Sequence, residues 1–328
     1  MRRAPAPPAP RAVRRPRASR GSSRPARFSA TAPASTSNLG PGFDCLGLAL
    51  RLPLTVTARR IPEGFLIRRR GEGSDLALDP HRDRVLAAFR HLIRLAEEPV
   101  PTVALTIHSR IPVARGLGSS AAAIVAGLAL ANHWLGGRFS PEDLLCEAVR
   151  LEGHPDNVSP SLLGGFVLCL PRRAGGTTPI PLPVPRGIAF TLIVPELRVS
   201  TEKARALLPH AVPLRDAAAN TARALALLRA LETRRTDLVA DALEDVYHVP
   251  HRARLIPGYH RIVEAGRRAG AHGVTISGSG PTLLALHAPG RGARIGAAMV
   301  RAFARVRVQA RAIPGRIDTR GAVTRSLG

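Results

Sequence analysis

One stretch, residues 111–134, constrains this chain more than any other. Gly116 and Gly118 punctuate the segment Ile111-Pro-Val-Ala-Arg-Gly-Leu-Gly-Ser-Ser-Ala-Ala-Ala123. Before it, Val103, Leu105 and Ile107 alternate as one face of a strand; after it, small and apolar residues predict a helix from about Ser120 to Trp134. Glycines let the backbone turn tightly and approach a ligand closely. The N–H groups at the helix start then converge on one point, at the positive end of the helix dipole. A polyphosphate needs that arrangement, with Ser119 or Ser120 free to hold a phosphate or Mg²⁺ and Arg115 adding charge. A serine-capped strand–turn–helix with no ligand uses the same residues.

Composition narrows the field. The chain has 328 residues, room for two domains. Hydrophobic residues are 45% and the mean hydropathy is +0.03, enough for a sizeable core. The net charge of +25 and pI of about 11.8 suggest nucleic acid, but aromatics are only 3%, too few for a platform that stacks single-stranded bases. Lys203 is the only lysine, so the excess is almost entirely arginine, a pattern to be expected if the coding sequence is GC-rich. A Walker-A loop, a Schiff base and protein-kinase chemistry each need a lysine in a motif this chain lacks. Cys45, Cys146 and Cys169 are odd in number and widely spaced, which argues against a disulfide framework and structural zinc and favours a reducing, cytoplasmic compartment. The run Ala121–Ala131 is too short to span a bilayer, and no signal-peptide apolar region stands near the start.

Residues 1–27 hold nine arginines and no acid among Pro, Ala and Ser. They are read as a disordered basic tail, or as upstream sequence from a misassigned start; their prolines oppose the amphipathic helix of a transit peptide. Removing the tail's nine charges still leaves +16. Beyond it, strands are predicted at 52–58, 188–194, 273–277 and 282–287. Helices are predicted at 85–95, from Ser140-Pro141 onward, and near 201–208, 215–231, 236–246, 259–269 and 291–304. Without a regular βαβ repeat this reads as α+β. Pro-rich residues 179–187 mark a boundary between a domain at 28–180 and another at 181–328.

Three further segments carry polar side chains. Pro33 to Gly47 reads as a loop, in which Asn38 and Asp44 could hold a small polar substrate or merely form Asx turns. Glu152, His154, Asp156 and Asn157 crowd a stretch broken by Gly153 and Pro155; a carboxylate here suits Mg²⁺, and the spacing matches no usual zinc site. Gly273 to Ala285 reads as strand, glycine-rich turn and strand, a hairpin whose amides could face an anion. Arg205 and Arg252 are forks able to pair with a carboxylate.

In order, the motifs Pro-Ala-x-x-x-Asn (33–38), Pro-x-x-x-Gly-Leu-Gly-Ser-Ser-Ala (112–121) and Ser-Gly-Ser-Gly-Pro-Thr (277–282) resemble those of the GHMP family of small-molecule kinases. The runs at 38–44, 152–158, 200–209 and 248–258, with Ile317 to Ala322, resemble its amino-acid-directed branch. The resemblance covers residues 28–323. It implies transfer of the γ-phosphoryl group of ATP to the side-chain hydroxyl of L-homoserine, a step of threonine biosynthesis. It also implies an N-terminal domain like domain 2 of ribosomal protein S5, and a ferredoxin-like C-terminal domain. By the same resemblance Pro112, Val113, Ala114, Arg115, Gly116, Leu117, Gly118, Ser119, Ser120 and Ala121 cradle the nucleotide, and Ser119 or Ser120 with Glu152 holds Mg²⁺. Asn38, Asp44, His154 and Asp156 contact homoserine, Arg205 and Arg252 grip its carboxylate, and Asn157 and Thr201 flank the reaction centre. The partner is this small molecule, with neither nucleic acid nor membrane involved, and a homodimer is left open. A strong general base is not expected, because phosphoryl transfer depends mainly on positioning and charge neutralisation. One departure is Arg84-Val85-Leu86, where relatives carry Asn-Leu-Val near the adenine.

Overall fold

The computed structural model describes residues 27–75, 79, 82–173, 175–185 and 187–327. Residues 1–26 of the expected basic tail lie outside them, and Arg27 opens the first strand.

Along the chain come β1 (Arg27–Ser37), β2 (Leu46–Arg60), β3 (Phe65–Gly71), α1 (Arg84–Leu95), β4 (Val103–Ser109), α2 (Ser119–Trp134), α3 (Pro141–Glu152), α4 (Pro155–Leu163), β5 (Phe166–Pro171) and β6 (Thr177–Leu182). There follow β7 (Ala189–Pro195), α5 (Thr201–Ala206), α6 (Leu214–Thr233), α7 (Val239–Ala242), α8 (Val249–Arg252), α9 (Tyr259–Arg268), β8 (Ala271–Ile276), β9 (Leu283–His287), α10 (Gly292–Ala304), β10 (Ala310–Pro314) and β11 (Val323–Leu327). The α+β expectation holds. A seven-stranded sheet runs β11-β1-β2-β4-β3, with β5 on the start of β2 and β6 on β5. A second sheet runs β10-β7-β9-β8, all antiparallel. Its β-α-β-β-α-β connectivity is ferredoxin-like. The expected division at residue 180 falls inside β6, and β11 returns the end of the chain to the first sheet.

Local chemistry accounts for the elements that set the site. Asp83 caps α1 by accepting from the Leu86 N–H at 2.8 Å. Ser140 and Asp143 form a reciprocal capping box with Pro141 at the first helical position, as the sequence predicts for α3. Helix α2 is apolar around its whole circumference, so it can be stable only when enclosed. It is, with Ala122, Val125, Ala126 and Leu130 among its solvent-free residues, packed on α1, β1, α3 and α4.

Four local readings change. Pro33–Ser37 is not loop but the buried end of β1; Ser35, Thr36 and Ser37 are solvent-free because each has a polar partner, which hydropathy patterning cannot register. Residues 155–163 are helix α4 rather than a broken loop, Pro155 serving as its first residue. Residues 179–182 form the edge strand β6, where prolines cost no ladder hydrogen bond on the open side. The helix expected over 236–246 shrinks to a 3-10 turn at Thr236–Leu238 and α7.

Gly47 sets how closely α4 approaches β2. A Cβ there would lie 1.9 Å from the Asp156 carbonyl oxygen. Gly47→Ala is therefore expected to lower stability by about 1–3 kcal/mol, the usual range for overpacking, measured by urea or thermal unfolding.

Candidate active site

The turn between β4 and α2 bends at Gly118, whose φ of 63° is left-handed. A Cβ on Gly118 would lie 2.2 Å from Ser35 Oγ and 3.0 Å from Asn157 Oδ1, so the position excludes any side chain. No side chain caps α2, and its first-turn residues Ser119 and Ser120 line a cleft of about 400 Å³. The turn is fixed from both halves of the molecule. Ser277 Oγ donates to Gly116 O at 2.7 Å, Val199 N to Ala114 O at 3.2 Å, and Ser35 N to Leu117 O at 3.2 Å. Arg115 braces the turn as well as lining the cleft: Nε donates to Pro195 O at 2.8 Å and Nη1 to Val113 O at 3.0 Å. Burial, with nearby Arg198 adding repulsion, pulls its pKa down.

Ser120 Oγ donates to Glu152 Oε2 at 2.5 Å. That pair offers one carboxylate and one hydroxyl. Among the described residues no three His, Cys, Asp or Glu side chains are grouped to hold a metal ion. The donor set fits a magnesium ion, which takes most of its ligands from phosphates and water, and not a caged zinc.

Beside the β4–α2 turn stands the start of α4. His154 is its N-cap residue, and Asp156 and Asn157 lie in its first turn. Asn157 is pinned between two serines of β1: Ser35 Oγ donates to its Oδ1 and its Nδ2 donates to Ser37 Oγ, both at 2.9 Å. His154 Nδ1 lies 2.6 Å from Asp156 Oδ1. Burial is the largest influence on His154 and opposes its charge, but Asp156, aided by Glu152, outweighs it and the pKa rises.

Asp44 and Arg205 form a two-pronged ion pair, Nη1 to Oδ2 at 3.1 Å and Nη2 to Oδ1 at 2.8 Å. Arg252 is 2% exposed; its Nη1 donates to Gly278 O at 3.0 Å, and its buried Nε has no protein partner. Burial first, and then repulsion from Arg205, lowers its pKa to about 10. Both guanidinium groups stand over the Phe43 ring, 5.7 Å and 5.4 Å from its centre. The loop bearing Asp44 is held from the second half of the chain, where Asn220 Nδ2 donates to Pro41 O at 2.9 Å and His248 Nε2 to Gly40 O at 3.0 Å.

The cleft thus brings together Asn38, Asp44, Val113, Ala114, Arg115, Gly116, Leu117, Gly118, Ser119, Ser120, Glu152, His154, Asp156, Asn157, Thr201, Arg205 and Arg252. Two expected residues do not line it. Pro112 faces a second depression with Arg198 and Arg311, and Ala121 is enclosed in α2. Asn38 lines the cleft, but Nδ2 is engaged with Gly278 O and Oδ1 with Asp44 N, each at 3.0 Å. The 277–281 turn is a clasp rather than an anion cradle at its first glycine: Gly278 N donates to Ser37 O at 3.1 Å. Sequence reasoning missed Ser35, Ser37 and Phe43 as site builders. The i, i+2 spacing of the serines was the available signal.

Family models described as the GHMP kinases N terminal domain and the GHMP kinases C terminal match residues 83–165 and 227–305, and the chain belongs to the GHMP kinase family. Within that family its similarity along nearly the whole length is to homoserine kinases. It is 38% identical over 291 residues to the homoserine kinase of Carboxydothermus hydrogenoformans, covering 89% of this chain and 94% of that one. It is 43% identical over 295 residues to that of Synechococcus sp. strain WH7803, covering 88% and 93%. The crystal structure of homoserine kinase from Cytophaga hutchinsonii superposes with a TM-score of 0.82 at 30% identity, over 93% of this chain and 99% of that one.

The His154–Asp156 pair sets a pH window. Because the folded pKa lies above the ordinary histidine value of 6.5, its stabilisation is complete below 6.5 and is lost as pH rises through the folded value. Asp156→Asn removes the carboxylate that raises it, so the His154 ring resonance in an NMR titration is expected to move at lower pH than in the wild type.

Proposed function

We propose that this cleft transfers the γ-phosphoryl group of ATP to the side-chain hydroxyl of L-homoserine, as a cytoplasmic step of threonine biosynthesis. Residues 28–180 supply most of the nucleotide site, and residues 181–328 contribute Arg205, Arg252 and the clasp around them. The observation that carries the reading is the Asp44–Arg205–Arg252 group beside the uncapped start of α2. An amino-acid acceptor brings one carboxylate and one ammonium. Asp44 and Arg205 already neutralise each other, and such an acceptor can replace each partner by its own group of the same sign. Arg252, buried with a free Nε, then gains an anion.

The first turn of α2 and the Gly116–Gly118 turn hold the nucleotide phosphates with backbone N–H groups. Ser120 and Glu152 would hold magnesium, which would supply charge neutralisation to the polyphosphate. Asn157, immobilised by Ser35 and Ser37, and Thr201 at the start of α5 orient the acceptor hydroxyl. The hydroxyl oxygen bonds to the γ-phosphorus as the bond to the bridging oxygen of ADP breaks, and the hydroxyl proton leaves to phosphate or water. Asp44 and Asp156 are both engaged in ion pairs, so neither serves as a strong base. A loose transition state needs none.

The test is homoserine-dependent ADP release in a coupled assay; its absence refutes the assignment. Glu152→Ala is expected to abolish Mg²⁺-dependent turnover. Arg205→Ala is expected to raise the homoserine KM roughly ten- to a hundredfold, the loss of a charge-assisted carboxylate contact, with a smaller effect on kcat. An unchanged KM refutes the carboxylate role.

A further inference from the structure

Arg84 is a cation at the wrong end of its helix. It opens α1 directly after the N-cap Asp83, at the positive end of the dipole, which disfavours its charge. Glu152 has the mirror problem, since its carboxylate sits on the last residue of α3, at the negative end. Each compensates the other. Arg84 Nη1 donates to Glu152 Oε2 at 3.3 Å, the oxygen that also accepts from Ser120. The Glu152 side chain is 8% exposed and that of Arg84 56%. The carboxylate is therefore the fixed partner and the guanidinium the movable one. Both line the nucleotide end of the cleft beside Gly118, Ser119 and Ser120.

We propose that Arg84 is a phosphate-binding residue: it neutralises Glu152 in the empty cleft and passes to the polyphosphate oxygens when a nucleotide and its divalent cation arrive. The proposal rests on the kinase reading above. A divalent cation at Glu152 repels the guanidinium from the carboxylate, and phosphate oxygens offer the planar fork a better, two-pronged partner. The exchange requires only rotation of an exposed side chain. It also means that Arg84 and the metal compete for Glu152, so in the absence of metal the same arginine supplies positive charge to bound nucleotide.

Titration calorimetry of ATP into the full chain in EDTA, without magnesium, tests this directly. Arg84→Gln is expected to weaken metal-free ATP binding about tenfold, the scale of one charge-assisted contact, and Arg84→Lys to restore part of it. Glu152→Gln is expected to tighten metal-free binding, because it releases Arg84. In steady state Arg84→Gln is expected to raise the ATP KM and leave the homoserine KM unchanged. Equal metal-free affinity in the wild type and Arg84→Gln overturns the proposal, as does a wild type that binds no ATP without metal. Parallel loss of homoserine affinity also overturns it, by marking Arg84 as a tie between α1 and α3. Absence of homoserine-dependent turnover in the wild type fails the kinase reading instead, and leaves the metal-free comparison standing.

Discussion

The site depends on how three serine and threonine residues at the end of β1 are used. Successive residues of a strand face opposite ways. Ser35 and Ser37 meet Asn157 at the start of α4, while Thr36 faces the second half of the chain and shares a 2.7 Å hydrogen bond with Ser277. Ser277 Oγ donates in turn to Gly116 O, so the β4–α2 turn, the start of α4 and the β8–β9 clasp are joined through one strand end. All these side chains are buried and all are partnered, the condition under which a polar network adds rigidity rather than cost. Gly118 packs onto the same network and leaves no space for a Cβ.

Charge in the cleft is arranged as internal pairs: Asp44 with Arg205, Asp156 with His154, and Glu152 with Arg84 and Ser120. These pairs neutralise their own charge, and in the proposed reaction a charged substrate binds by exchanging partners with them. Arg252 stands outside these pairs, a buried guanidinium with one nitrogen unpaired and its pKa pulled down to about 10. A substrate carboxylate relieves that burial. The high net charge of the chain plays little part here; nine of its positive charges fall in residues 1–27.

Much of this was legible in the sequence, and the failures are instructive. The helices α1, α2, α3 and α9 follow from apolar spacing and caps, and the α+β class follows from their mixture with strands. Nearly every expected site residue converges on one cleft, because the motif segments carry them at fixed spacing along rigid elements. What was not legible is where polar residues are buried. Pro33–Ser37 looked like a loop because its side chains are polar, yet it is a strand end whose partners lie about 120 and 240 positions away. Pro155 looked like a breaker and proves to be a helix start. Arg115 lines the cleft as expected, but that its Nε and Nη1 also brace the turn through backbone carbonyls has no signal in the sequence. Long-range hydrogen bonds have no sequence periodicity, so only the folded chain displays them.

The central claim is that the acceptor is recognised as a zwitterion by Asp44, Arg205 and Arg252 while its hydroxyl is phosphorylated. The most direct measurement compares kcat/KM for L-homoserine, 4-hydroxybutyrate and 3-aminopropanol, which keep the hydroxyl but lack the ammonium or the carboxylate in turn. Each deletion removes a charged partner of the Asp44–Arg205–Arg252 group and is expected to lower kcat/KM by roughly a hundredfold or more. Comparable kcat/KM for all three alcohols would contradict the claim.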